Sequence, residues 1–144
     1  MLSALDLSKY IITKCMNDRK PISNLQLQKI LYYIQVEFLK TKGVPAFSDE
    51  IEAWQFGPVV RAVYQQYCGA GSFPLRFVYE KNIADAVSVS EKEIIDAIVV
   101  DKREKEPWDL VAETHAEGKA WSRIYKDGEG NKAVIPKKEI RENG

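Results

Sequence analysis

The sequence has one histidine, two cysteines and no net charge, and each scarcity closes off a class of chemistry. A zinc site needs three or four His, Cys or carboxylate ligands in a suitable spacing. With His115 as the sole imidazole and no Cys-x-x-Cys pair, no metal site is expected. Cys15 and Cys68 cannot make a disulfide framework, and both fall on apolar faces of predicted helices, so both are expected as small buried side chains. The 21 Lys and Arg cancel the 21 Asp and Glu. Residues 1–75 carry 8 basic and 6 acidic groups, residues 76–144 carry 13 and 15, so no basic arm exists to displace counterions from a nucleic acid. Direct nucleic-acid binding is therefore not expected. Apolar runs of four to six residues are far short of the ~20 needed to cross a bilayer, and no leader pattern follows Met1, so a cytoplasmic protein without membrane contact is expected. Glycine is sparse as well. Gly69-Ala70-Gly71 ends a predicted helix and is followed by no Gly-Lys-Ser/Thr, which removes a phosphate cradle.

What is present is helical periodicity. Ser3 caps a helix predicted to reach Asn17, with Ala4, Leu7, Ile11 and Cys15 on one stripe. Pro21 and the polar run before it stop that helix. Ser23 and Gln26 then form a Ser-x-x-Gln capping box, with Ile22 and Leu27 as the staple pair. Leu27, Ile30, Leu31, Ile34 and Phe38 line one face of this second helix, and Tyr32, Tyr33, Val36 and Leu39 widen it, which predicts a central helix. Gly43 and Pro45 end it.

Ile51 to Phe56 reads as a short extended segment. Gly57-Pro58 is expected to be a hinge, with Pro58 at the first position of a third helix carrying Val59, Val60, Val63, Tyr64, Tyr67 and Cys68. Residues 72–88 lack a period, although Phe73, Leu75, Phe77 and Tyr79 alternate as in a strand or an extended packing segment. A second capping box is read at Ser90 and Glu93, with Val89 and Ile94 as staple, opening a helix that buries Ile94, Ile95, Ala97 and Ile98. The charge run 101–106 is expected as a solvated helix end. Pro107 starts a further helix, residues 120–126 add one or two turns, and Pro136 opens a last helix over Lys137 to Arg141. These elements predict a mainly α fold: one compact domain over residues 1–144, with about five to six helices and a short two- or three-stranded β element.

No catalytic constellation is expected. Cys68 with His115 is the one nucleophile and base pair that can be assembled, and nothing nearby activates the thiol. The fifteen aromatic residues are more distinctive. Tyr32-Tyr33, Trp54 with Phe56, Tyr64 with Tyr67, and Trp121 with Tyr125 cluster where helices begin or turn. Core packing explains most of them, and the rest suit a protein-binding surface.

Leu25-Gln26-Leu27-Gln28-Lys29-Ile30-Leu31-Tyr32-Tyr33-Ile34-Gln35, Gly43-Val44-Pro45-Ala46-Phe47, and Ile51-Glu52-Ala53-Trp54-Gln55-Phe56-Gly57-Pro58-Val59 with Val63-Tyr64 together resemble the Panacea antitoxin domain family, in its SocA-like and GepA-type phage-associated forms. Thr114-His115 and Trp121 resemble its C-terminal pattern, with Ala120 where a proline commonly precedes the tryptophan. The similarity spans about residues 4–125. It implies a mostly helical antitoxin of a bacterial or prophage toxin-antitoxin pair, without enzymatic activity or cofactor, binding a protein toxin encoded by an adjacent gene. It equally allows a proteolytic adaptor that delivers the toxin to a cytoplasmic protease, or a phage regulatory protein. The residues it marks as partner-binding or family-motif positions are Gln28, Tyr32, Tyr33, Gln35, Trp54, Gly57, Pro58, Tyr64, His115 and Trp121. From the residues alone, Gly57-Pro58 reads as backbone geometry and Trp54 as a packing anchor.

Overall fold

Ser23 opens the helix around which the other elements gather. In the computed structural model, which describes residues 2–80 and 82–144, the Ser23 hydroxyl accepts from the Gln26 N–H at 3.2 Å, and the Gln26 carboxamide accepts from the Ser23 N–H at 3.0 Å. The capping box thus satisfies two donors that a helix start otherwise leaves open. Helix α2 (Asn24–Thr41) follows, with twelve buried residues spread around its circumference. It touches α1 (Ala4–Asn17), α3 (Arg61–Tyr67), α4 (Val89–Lys102), α5 (Pro107–Thr114) and α7 (Lys137–Asn143). The predicted α1 stripe is fully buried at Ala4, Leu7, Ile11 and Cys15. The class is mainly α: the described residues hold seven α-helices, including α6 (Ala120–Tyr125), and one three-stranded antiparallel sheet.

The sheet has the order β2-β1-β3, formed by β2 (Gly57–Val59), β1 (Glu52–Trp54) and β3 (Ala133–Val134). Gly57 and Pro58 therefore belong to a strand and not to the start of α3, which begins at Arg61 after an extended Val60. Edge position accounts for the difference, because an edge strand tolerates a residue with no N–H. Pro58 stands opposite Ala53. Without a donor it cannot exchange hydrogen bonds there, so its carbonyl faces outward to α2. Strand β3 closes the other side, with Glu52 opposite Val134 and Ala53 opposite Ala133.

The second capping box lies two residues earlier than expected. Ser88 caps α4, accepting from the Glu91 N–H at 3.1 Å while Glu91 accepts from the Ser88 N–H at 2.8 Å. Two overlapping Ser-x-x-Glu motifs compete, and the Ser88 register sends Ile95 and Val99 into the core. Ile94 and Ile98 are then only half-buried, while Val89 and Ala97 face solvent. Cys68 is a second correction: α3 ends at Tyr67, a short 3-10 turn takes over, and the thiol is exposed, whereas Cys15 is buried. In the charge run, Arg103 is drawn inward to pair with Asp18 at 2.7 Å, so that end of α4 is not merely solvated. From Pro74 to Glu80 the chain runs without ladder partners, held where the Leu75 N–H donates to the Ile22 carbonyl at 2.7 Å, and residues 84–86 form a turn in which the Ala86 N–H donates to the Ile83 carbonyl at 2.9 Å.

Candidate functional site

The polar residues of α2 face inward and organise the strands. Gln28 donates to the Asn24 side-chain oxygen at 3.0 Å and accepts from the Val60 N–H at 2.9 Å. Lys29 donates from Nζ to the Pro58 carbonyl at 3.1 Å. Together they bind the outer edge of β2, which would otherwise carry unpaired backbone groups. Two turns further on, Gln35 does the same for the loop after α2: Oε1 accepts from the Ala46 N–H at 2.8 Å, and Nε2 donates to the Phe47 carbonyl at 3.2 Å.

Lys29 is fully buried, and burial lowers its pKa from 10.5 to about 7. It shares a tight corner with Gly57 and Thr114. Gly57 has φ +115°, and a Cβ there would lie 2.8 Å from Lys29 Nζ and 2.9 Å from Thr114 Oγ1. Only glycine fits both the conformation and the space. Behind this corner, His115 lies flat on Trp121, with ring centres 3.7 Å apart, and Trp121 lies on Tyr125 at 4.5 Å. Burial holds the His115 imidazole below its ordinary pKa, and the nearby Lys29 charge adds to the effect. Its Nε2 has no hydrogen-bond partner. The Trp121 Nε1–H donates to the Trp54 carbonyl at 2.7 Å, tying α6 to β1.

On the solvent side of these contacts an open cleft of about 570 Å³ lies between the first turns of α2, the β1-β2 turn, α3 and the loop before β3. Trp54, Phe56 and Tyr64 supply its aromatic wall, and Lys29 is at its base. Trp54 meets Tyr64 edge-on at 4.9 Å. Arg61 and Lys132 lie 5.5 and 5.1 Å from the Trp54 ring centre. Glu52 is engaged by both arms of Arg61, at 2.7 and 3.1 Å, and by the Trp54 Nε1–H at 2.9 Å.

The ten marked residues therefore fall in three places. Gln28, Tyr32, Gln35, Gly57, Pro58 and Trp121 are buried, and His115 is half-buried against Trp121. Trp54 and Tyr64 reach the cleft, and the buried Gln28 side chain borders it from within. Tyr33 lies apart from it, beneath Lys102, whose Nζ is 4.0 Å from the ring centre. Cys68 and His115 have separate surroundings, the thiol against the Gln65 carbonyl and the imidazole against Trp121. Among the described residues no group of His, Cys, Asp or Glu is arranged to hold a metal ion.

Lys29 and Lys132 are not among the marked residues, and Thr114 enters the sequence reading only through the Thr114-His115 resemblance. Lys29 carried a signal, since it shares the helical face of Leu25, Tyr32, Tyr33 and Val36, where a charge is out of place. Lys132 carried none, because its position over Trp54 depends on the β3 pairing.

Residues 27–122 match the family model described as "Antitoxin SocA-like, Panacea domain". The chain is 33% identical over 113 residues to Antitoxin SocA of Caulobacter vibrioides (strain NA1000 / CB15N), covering 72% of this chain and 60% of that protein. The chain thus spans less than two thirds of the length of this relative. No solved structure matches. The matched stretch contains the α2 amides, the buried lysine corner, the Gly57-Pro58 strand and the Trp121 stack, and with the SocA similarity it establishes that this chain belongs to the SocA-like Panacea domain family.

Proposed function

We propose that this protein is an antitoxin that neutralises a partner toxin, encoded by an adjacent gene, by direct protein-protein binding. The observation that carries this reading is the 33% identity to a protein named as an antitoxin. The surface is compatible with it. Trp54, Phe56, Tyr64 and Trp108 present aromatic area on one side of the fold, and Tyr and Trp dominate the energetics of protein interfaces. Residues 1–144 act in this reading as one domain, in the cytoplasm. No helix among the described residues is long and apolar enough to cross a membrane.

The test is coexpression with the protein encoded by the neighbouring reading frame, with growth, copurification and toxin half-life followed together. Restored growth with a stable, copurifying partner is the expected result. Restored growth with a shortened toxin half-life would replace occlusion by delivery to a protease, and failure to restore growth would remove the antitoxin reading.

A further inference from the structure

The aromatic cleft carries an electrostatic bias that the whole chain does not. The chain has no net charge, yet both charged residues in the cleft wall are lysines, Lys29 at the base and Lys132 at the mouth. Glu52, at the Trp54 ring edge, is engaged by Arg61 and the Trp54 indole, and its charge also acts on Lys132 without a direct ion pair. Lys132 makes no ion pair among the described residues, and its Nζ stands over the Trp54 ring. Beside this cationic mouth, Phe56 and Tyr64 are 47% and 37% exposed. Trp108, 61% exposed, meets Phe56 edge-on at 5.2 Å and extends the apolar wall. Gln55 and Asn131 add amide donors and acceptors at the edge.

From this complementarity we infer that the cleft binds a short peptide segment in which an Asp or Glu stands next to a large apolar side chain. The carboxylate meets Lys132, and the apolar group lies between Phe56 and Tyr64. The volume falls in the range of about 300–1,000 Å³ typical of ligand sites. Lys29 is committed to the Pro58 carbonyl, and the single exposed lysine of the cleft, Lys132, suits one carboxylate and is too little to track a phosphate backbone, whose binding needs many neutralised phosphates. The assignment of that segment to a toxin rests on the antitoxin reading. The existence of the peptide site does not.

The experiment pans a random heptapeptide display library against the full chain, then measures the synthesised winning peptide against wild type, Lys132→Glu and Tyr64→Ala. Circular dichroism and thermal unfolding confirm that both variants are folded, which their exposed positions favour. Enriched peptides should carry Asp or Glu within two residues of Phe, Trp, Tyr or Leu. Affinity should fall about tenfold or more in each variant, and exchanging the peptide's acid for lysine should restore binding to Lys132→Glu. Absence of enrichment, a consensus without acid, or binding that both variants leave unchanged would overturn the inference. The two readings fail separately. Peptide binding without growth rescue removes the antitoxin and keeps the cleft, and rescue that both variants leave intact, with no peptide bound, removes the cleft and keeps the antitoxin.

Discussion

Replacing Lys29 with methionine should stabilise this protein at neutral and mildly acidic pH, and the gain should vanish in alkali. The amine is fully buried, makes one hydrogen bond, to the Pro58 carbonyl, and titrates at about 7 in place of 10.5. In the unfolded chain it returns to about 10.4. Between these values the unfolded state holds a proton that the folded state has lost, so stability rises with pH through that window. Below about 7 both states are charged and the folded state bears the whole desolvation penalty. Each unit of depression corresponds to about 1.4 kcal/mol, giving an upper bound of about 5 kcal/mol. Methionine fills similar space without charge but leaves the Pro58 carbonyl without its donor, a loss of about 1–3 kcal/mol. The variant should therefore exceed wild type at pH 6, by at most about 4 kcal/mol, and match or fall below it at pH 10. Urea unfolding followed by circular dichroism at pH 6, 7.5, 9 and 10 measures the difference. A difference that does not change with pH would refute the reasoning, and a variant weaker at pH 6 would show that the Pro58 hydrogen bond outweighs desolvation.

Other substitutions probe other parts of the framework. Gly57→Ala combines a left-handed backbone with a clash against Lys29 and Thr114 and should lose about 2 kcal/mol or more in urea unfolding, with part of the loss recovered in the Gly57→Ala/Lys29→Met double variant. Ser88→Ala should cost about 1 kcal/mol and Ser90→Ala less than about 0.5 kcal/mol; the reverse order in chemical denaturation would restore the later capping register. Gln35→Leu strands the Ala46 N–H and the Phe47 carbonyl inside the fold and should lower stability by about 2–4 kcal/mol in the same assay. A thiol-specific chromogenic reagent should label one cysteine, Cys68, in the folded protein and Cys15 only on unfolding; equal rates would contradict the observed burial.

The helices were largely legible because most carry local punctuation, α3 and α6 being the ones with neither a side-chain cap nor an opening proline. Ser23 with Gln26, Pro107 and Pro136 specify starts through chemistry confined to one turn. Where two local signals overlapped, at Ser88 and Ser90, the choice was made by Ile95 and Val99 meeting a core that no single-turn reading contains. Pro58 shows the same limit. Proline at a helix start and proline on an edge strand are both locally sound, and the decision came from Gln28 and Lys29, some thirty residues away, supplying partners for the strand's outer edge. The aromatic cluster around Trp54 was visible as composition. Its cationic mouth was not, because Lys132 joins it only through the third strand.

That third strand and the last helix lie outside the stretch matched by the family model, yet the strand completes its sheet and the helix covers α2. The Lys132 N–H donates to the Ala53 carbonyl at 2.6 Å, and the Ile135 N–H to the Ile51 carbonyl at 2.8 Å. A fragment trimmed to residues 27–122 would expose that side of β1 as an unpaired edge, open to strand pairing between molecules. It would also uncover the face of α2 that α7 shields. Anyone transplanting this module onto another protein should therefore carry the chain through α7, or expect aggregates where a graft was intended.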